Sequence, residues 1–293
     1  MDTLRDLKNI INKMSLEEGL NTTNIPFVNV FKSITSGEVL HTVYEPSLFI
    51  ILEGSKTVMV GDRVFEYDSS SYFISSTFLA VSGKIIEASK DEPFLSIQIV
   101  FNQKQIFQAL EEFSVSLNKA NTSNLSASTY TLDSDLKESV LRLVRLTQTP
   151  SDIEVLSKLY LKEILYRLLV SNQNIEFLQQ VSIESNSYKI SKAISFINQN
   201  IYETFLVNDI AKSVNMSISS FHKNFKTIIG ISPLQYIKKL KLLESKRLMT
   251  LENMDIEGVS FYVGYQSTSQ FSREYKNYFG ISPGKDKKSF KIL

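Results

Sequence analysis

Cysteine is missing from all 293 residues, which removes disulfide staples, thiolate metal ligands and a cysteine nucleophile or redox sensor together. A long apolar run is missing too. The opening stretch MDTLRDLKNIINKMSLEEGL mixes charged and apolar side chains, so neither a signal peptide nor a membrane anchor is expected and a cytoplasmic location is the default. Net charge is almost absent, at +1. A hydrophobic content of 43% argues against a disordered or fibrous chain, and the length suits two folded units.

The small net charge conceals an asymmetry. Residues 186–293 hold 16 Lys and Arg against 8 Asp and Glu, a net of +8, whereas residues 1–185 carry −7. A basic half joined to an acidic half is expected where only the former meets a polyanion, although a basic face without a partner gives the same count.

From about Phe27 to Phe101, β-branched and aromatic clusters alternate with turn residues, as in SLFIILEG, KTVMVGDRVFEY and FLSIQIVF. Such spacing predicts a small barrel or sandwich, with Gly61-Asp62 as a tight hairpin. The period then changes. Ile106, Phe107, Leu110 and Phe113 predict a helix over 104–113, residues 117–129 read as a polar loop, and Leu136, Val140, Leu143 and Val144 mark a second helix. A third, over 152–171, carries Val155, Leu156, Leu159, Tyr160, Ile164, Leu168 and Leu169 on one face, suited to a partner subunit or to its own barrel. The expected divisions are an N-terminal domain over 1–178, a linker over 179–187 and a C-terminal domain over 188–293.

That last domain contains a repeat. FHKNFKTIIGISP at 221–233 matches FSREYKNYFGISP at 271–283 with a constant offset of fifty. Upstream, Ile210-Ala211 and Val214-Asn215-Met216 pair with Val259-Ser260 and Val263-Gly264-Tyr265 once Gln266 is allowed as an insertion. Each copy has the parts of a helix-turn-helix: a short scaffold helix, a turn, a serine cap (Ser217 or Ser267) and a second amphipathic helix. Phe221, Phe225, Phe271 and Tyr275 repeat at i, i+4 and should face inward. Outward positions are then Ser219, Ser220, His222 and Lys223 in one copy, and Thr268, Ser269, Gln270, Ser272 and Arg273 in the other. Cations donate to guanine, glutamine pairs with adenine, and hydroxyls serve bases or phosphates, so these residues suit a DNA groove as well as a solvated face. Ser232-Pro233 begins a helix running to about Met249, roughly 25 Å long. That length could hold two such helices near groove faces roughly 34 Å apart. Ser217, Lys226, Lys238, Lys239, Ser267 and Lys276 are candidates for phosphate contacts, and Lys241, Lys246 and Arg247 extend the basic helix.

With VGYQSTSQFSREYKNYFGISP as its most specific stretch, the region 189–288 resembles the C-terminal DNA-binding domain of the AraC/XylS family of transcription regulators. The resemblance implies base-reading roles for Ser219, His222, Lys223, Thr268, Ser269, Gln270, Ser272 and Arg273. Ser260 stands where alanine is usual, and Asn215 where glycine is common. Residues 44–101 resemble the N-terminal domain of one AraC-type subgroup. That implies an α+β chain, with a cupin-like β-barrel and following helices ahead of an all-α domain of two helix-turn-helix units joined by a long helix. It further implies double-stranded DNA as partner, a small-molecule effector or homodimerisation through the barrel, and RNA polymerase if the protein activates.

Enzyme-type cupins hold a metal with several histidines and a carboxylate, whereas this chain has only His41 and His222. Neither catalysis, a metal nor a cofactor is expected. Phe49, Tyr67, Tyr72 and Phe73 could line a pocket, but at strand spacing they suit a barrel core better. Two rivals remain: a sugar- or small-molecule-modifying cupin with an accessory DNA-binding tail, against which the missing metal ligands argue, and a DNA-binding adaptor whose barrel only dimerises and senses nothing.

Overall fold

The computed structural model describes residues 3–113, 127–170, 186–203 and 205–290. After helix α1 (Thr3–Ile11) the chain forms β1 (Gly19–Thr22), β2 (Val28–Ser33), β3 (Val39–Tyr44), β4 (Ser47–Glu53), β5 (Ser55–Val60), β6 (Arg63–Asp68), β7 (Ser71–Ser75), β8 (Leu79–Glu87) and β9 (Phe94–Val100). These join β10 (Ala127–Thr131) in two antiparallel sheets, one ordered β1-β2-β9-β4-β7-β10 and the other β3-β8-β5-β6. Gly61, at a φ of 65°, makes the tight β5–β6 turn that the sequence predicts.

Strand β4 shows why the halves hold together. Its residues are buried on both faces: Leu48, Ile50 and Leu52 join one core, Phe49 and Ile51 the other. The first core lies between the six-stranded sheet and α1, α3 (Ser134–Arg145) and α4 (Ile153–Val170), with Leu7, Val140, Leu143 and Ile164 fully buried. Each such side chain contributes about 1.5–3 kcal/mol on leaving water. The second core fills the barrel with rings. Phe73 meets Phe49, Phe65 and Tyr67 at centroid distances of 5.5–5.8 Å, and Tyr44 stacks on Phe49 at 4.3 Å. Tyr72 points the other way, toward Tyr130 in the helical core.

Three expectations change here. The stretch 117–129 is not all loop, because its last residues begin β10, which pairs with β7; residues 117–126 lie outside the described ones. Helix α4 does not confine its apolar residues to one face: Ile164, Leu168 and Leu169 are buried, while Val155 and Leu159 are exposed. Helix α1, with Leu7, Ile10 and Ile11 packed inward, was not anticipated. Helix α2 (Gln103–Glu112) falls where the periodicity put it. The 179–187 linker lies largely outside the described residues.

The C-terminal half is helical: α5 (Asn186–Gln199), α6 (Val207–Ser213), α7 (Ile218–Ile229), α8 (Pro233–Leu251), α9 (Ile256–Tyr262), α10 (Thr268–Phe279) and α11 (Pro283–Phe290). Its two repeats are packed differently. The first shares the barrel's second core, with Phe221, Phe225, Ile228, Ile229 and Tyr236 in one apolar cluster with Val60, Phe73 and Val81. The second has its own, built from Leu242, Leu248, Met249, Val259, Val263, Phe271 and Tyr275. Inside it, Tyr275 donates a 2.6 Å hydrogen bond to the buried Asp286 carboxylate, which Lys246 also approaches at 3.0 Å.

Candidate nucleic-acid interface

Each repeat folds as a helix-turn-helix, α6–α7 and α9–α10, for legible local reasons. Ser217 and Ser267 accept from the amides of Ser220 and Gln270, which caps α7 and α10. Both helices stop at a left-handed glycine, Gly230 after Ile229 or Gly280 after Phe279. The turns need a positive φ as well. Gly264 supplies 84° and Asn215 supplies 55°, so the asparagine does the glycine's work through its tolerance of the left-handed region. Ser260 is fully buried, yet its hydroxyl is satisfied by the Glu257 carbonyl at 2.8 Å and by Thr268 Oγ1 at 3.1 Å.

Helix α8 carries a complete capping box, in which Ser232 Oγ accepts from Gln235 N while Gln235 Oε1 accepts from Ser232 N. It runs unbroken for 19 residues, about 28 Å at the usual rise.

The candidate base readers separate by exposure. Ser219, Lys223, Ser269, Gln270 and Arg273 are exposed, and Ser220, His222, Thr268 and Ser272 are half-buried. The Thr268 hydroxyl is turned back to Ser260. Lys223 and Arg273 occupy equivalent positions in the repeat, as do the exposed Lys226 and Lys276. Among the described residues, none of these four cations makes an ion pair.

The cations of α8 are differently placed. Lys238 pairs with Glu274 at 3.1 Å, and Arg247 pairs with Glu244 and Glu252. Lys239 lies over the Tyr278 ring and Lys246 over Phe279. Burial lowers the affinity of Lys239 and Lys241 for their protons. Most of this helix's positive charge is thus engaged within the protein.

Glu274 was missing from the sequence expectations. It is mostly shielded from water and accepts from Lys238 Nζ at 3.1 Å, Tyr265 Oη at 3.0 Å and Gln270 Nε2 at 3.3 Å. Burial opposes its ionisation, but the hydrogen bonds from Lys238, Gln270 and Tyr265 outweigh it and hold the carboxyl below its usual range.

The barrel leans on both units. The Tyr236 hydroxyl donates to the Phe78 carbonyl at 3.2 Å. Ile228 and Ile229 face Val60, Phe65 and Ala127 across a crevice of about 10 Å³, and the Gly61 turn abuts Gly230. On the outer face of the four-stranded sheet, Val64, Met59, Ser82 and His41 lie in one cross-strand row. His41 binds Ser82 Oγ at 2.9 Å and sets its ring 4.7 Å from Tyr278 and 5.7 Å from Phe279. Burial, then Lys239 and Lys246, lower its proton affinity. His222 stands on α7, in the other unit. Among the described residues no cluster of three or more potential metal ligands occurs, and no helix there is long and apolar enough to cross a membrane.

Residues 24–175 match the family described as AraC-type transcriptional regulator N-terminus, and residues 210–289 match a helix-turn-helix domain. The chain is 27% identical over 256 residues to the lactose operon transcription activator of Staphylococcus xylosus, covering 86% of this chain and 87% of that protein. It is 22% identical over 242 residues to the virulence regulon transcriptional activator VirF of Yersinia enterocolitica, covering 82% and 88%. Its fold is similar to that of ToxT from Vibrio cholerae, with a TM-score of 0.57 at 14% identity, over 91% of this chain and 98% of that one.

Proposed function

Because the chain belongs to the AraC-type transcriptional regulators, we propose that it binds duplex DNA with α7 and α10 in successive major-groove segments of one site. Within that reading Ser219, Ser220, His222 and Lys223 meet bases from the first unit, and Thr268, Ser269, Gln270, Ser272 and Arg273 from the second. Ser217, Lys226, Ser267 and Lys276 serve phosphates, and Lys238 and Lys239 do so less readily because their ammonium groups are already engaged. The observation that carries it is the pair of equivalent, exposed cations, Lys223 and Arg273, which have no carboxylate partner among the described residues and stand on two capped helices of one basic domain. The test is mapping of bound DNA across the genome. Bound fragments sharing one motif with two halves about one helical turn apart are expected, and binding without a shared motif would overturn the reading.

A second copy of the chain is the protein partner in this reading. Val155, Leu159, Tyr166 and Val170 are all exposed on α4, within an arc of about 60° on a helical projection, while the opposite side of α4 packs in its own domain. A homodimer places four helix-turn-helix units on DNA. The barrel serves as the regulatory half, since its four-stranded sheet touches both units and a bound effector would act through those contacts. Both relatives named above are activators, which supports activation and RNA polymerase as a further partner. The cytoplasm is the compartment where such a regulator meets its DNA.

A further inference from the structure

The two repeats share one more relationship that the base-reading positions alone do not reveal. In each, the residue four places after a candidate reader is hydrogen-bonded to that reader's side chain, but with opposite polarity. Position 270 is glutamine and its Nε2 donates to the Glu274 carboxylate at 3.3 Å. The equivalent pair in the first unit is Ser220 and Asn224. There Asn224 Nδ2 donates both to the Ser220 carbonyl at 2.8 Å and to the Ser220 hydroxyl oxygen at 3.2 Å. Because a backbone carbonyl only accepts, the asparagine amide must face Ser220 with its nitrogen.

The chemistry of each reader follows from what its neighbour has taken. An ionised carboxylate only accepts, so Glu274 turns the nitrogen end of the Gln270 amide toward itself and engages one of its two N–H groups. The carbonyl oxygen and the second N–H remain for an outside partner. That pair of one acceptor and one donor matches the N6 and N7 edge of adenine in the major groove. Ser220 is left the reverse way. Its oxygen accepts from Asn224, which leaves one lone pair and the hydroxyl proton able to meet an outside partner.

Resting on the DNA-binding reading above, we propose that Glu274 is a specificity-determining positioning residue. It fixes the Gln270 amide in the orientation that reads adenine, without itself touching the base. Two further contacts suit it to the task. Lys238 from α8 neutralises its charge beside a polyanion, and Tyr265 from the turn fixes its other oxygen at 3.0 Å. The carboxylate is therefore held by the linker helix, the turn and the reading helix together, so the orientation of Gln270 is set before DNA arrives. A glutamine freed of this contact rotates about its terminal torsion and presents either end.

Duplexes selected from a randomised pool by the full-length protein, followed by binding titrations on single-base variants of the selected site, test this. Wild type should prefer adenine at one position of the second half-site by roughly ten-fold or more, the range of a bidentate contact. Gln270→Ala should abolish that preference. Glu274→Ala should reduce it several-fold there and leave the other positions unchanged. In Glu274→Gln the Lys238 ammonium, which only donates and shares one Glu274 oxygen with Gln270 Nε2, keeps the amide oxygen on the Gln270 side, so this variant should largely restore the preference although the pairing with Lys238 is weakened.

An unchanged adenine preference in Glu274→Ala would overturn the proposal. So would an equal loss at every position, which marks a merely structural role, or failure of Glu274→Gln to rescue, which marks the charge rather than the orientation. A Gln270→Ala variant with wild-type selectivity would overturn it and leave the DNA reading standing. A wild-type protein that selects no motif would instead overturn the DNA reading on which it rests.

Discussion

Gly61, at the tip of the β5–β6 hairpin, touches Gly230, the left-handed cap of the first unit's second helix, so closely that neither has room for a side chain. A methyl at position 61 would lie 2.7 Å from the Gly230 Cα, and one at 230 would lie 3.0 Å from the Gly61 Cα. Both residues also hold a positive φ. Gly61→Ala should therefore cost roughly 1–2 kcal/mol in backbone conformation and in addition push the hairpin off the helix end. Thermal unfolding of the full chain checks it. A melting temperature equal to wild type would mean that the two glycines do not bear on one another.

Arg273 and Lys223 are matched in place but not in chemistry. A guanidinium engages guanine with two parallel hydrogen bonds, whereas an ammonium meets it as a point charge. Arg273→Ala should reduce discrimination between selected and random duplex by roughly 1–3 kcal/mol if it reads a base. Lys276→Ala, by contrast, should weaken both duplexes alike and shallow the dependence of affinity on salt. Titrations on the two duplexes at several salt concentrations distinguish these outcomes, and equal weakening by Arg273→Ala would reassign it to phosphate.

His41 makes the stability of the folded chain depend on mild acid. Its surroundings hold the ring neutral: burial acts first, then the charges of Lys239 and Lys246, the latter paired with Asp286. An unfolded chain accepts the proton near the ordinary value of 6.5, and the folded chain does so only at lower pH. The group's contribution is therefore complete above the ordinary value of 6.5 and is lost as pH falls from there through the lower folded value. Urea midpoints measured from pH 7.5 to 5 should decline more steeply for wild type than for His41→Gln. Parallel declines would show that the ring does not resist protonation.

The exposed stripe on α4 bears on assembly. Leu159→Glu should convert a dimer to a monomer without lowering the melting temperature by more than a small amount, since Leu159 packs little against its own domain. Sedimentation at micromolar concentration reads the mass directly. A strictly monomeric wild type would remove the second copy from the functional reading.

How much of this was legible beforehand follows the range of the interactions. The duplicated units were plain because caps, turns and i, i+4 aromatics act within a dozen residues, and their signature is written twice. The barrel strands were plain for the same reason, from alternation and a tight turn. Contacts across the chain leave no such trace. Ile228 and Ile229 look like the inner face of any amphipathic helix, yet they lie against Val60 and Phe65. Lys238 looks like a solvated lysine until α10 brings Glu274 to it. Segment Ala127–Thr131 reads as polar loop, because Ser and Thr suit turns in isolation and a strand only when β7 offers its edge. Helix α4 misled through its richness, having apolar residues enough for its own core and for the outer side as well.

The unequal packing of the two units also bears on how the chain comes into being. Synthesis runs from the N-terminus, so the strands that will meet residues 228–236 are made about 160 residues before them. Until then Val60, Phe65 and Phe78 have an uncovered side, and the nascent barrel is a surface on which other chains can stick. The first unit closes that surface as it emerges, completing a contact of long sequence separation, the kind that slows folding. The second unit needs no such template, because Phe271 and Tyr275 find their neighbours in α8, α9 and α11, all within a few dozen residues.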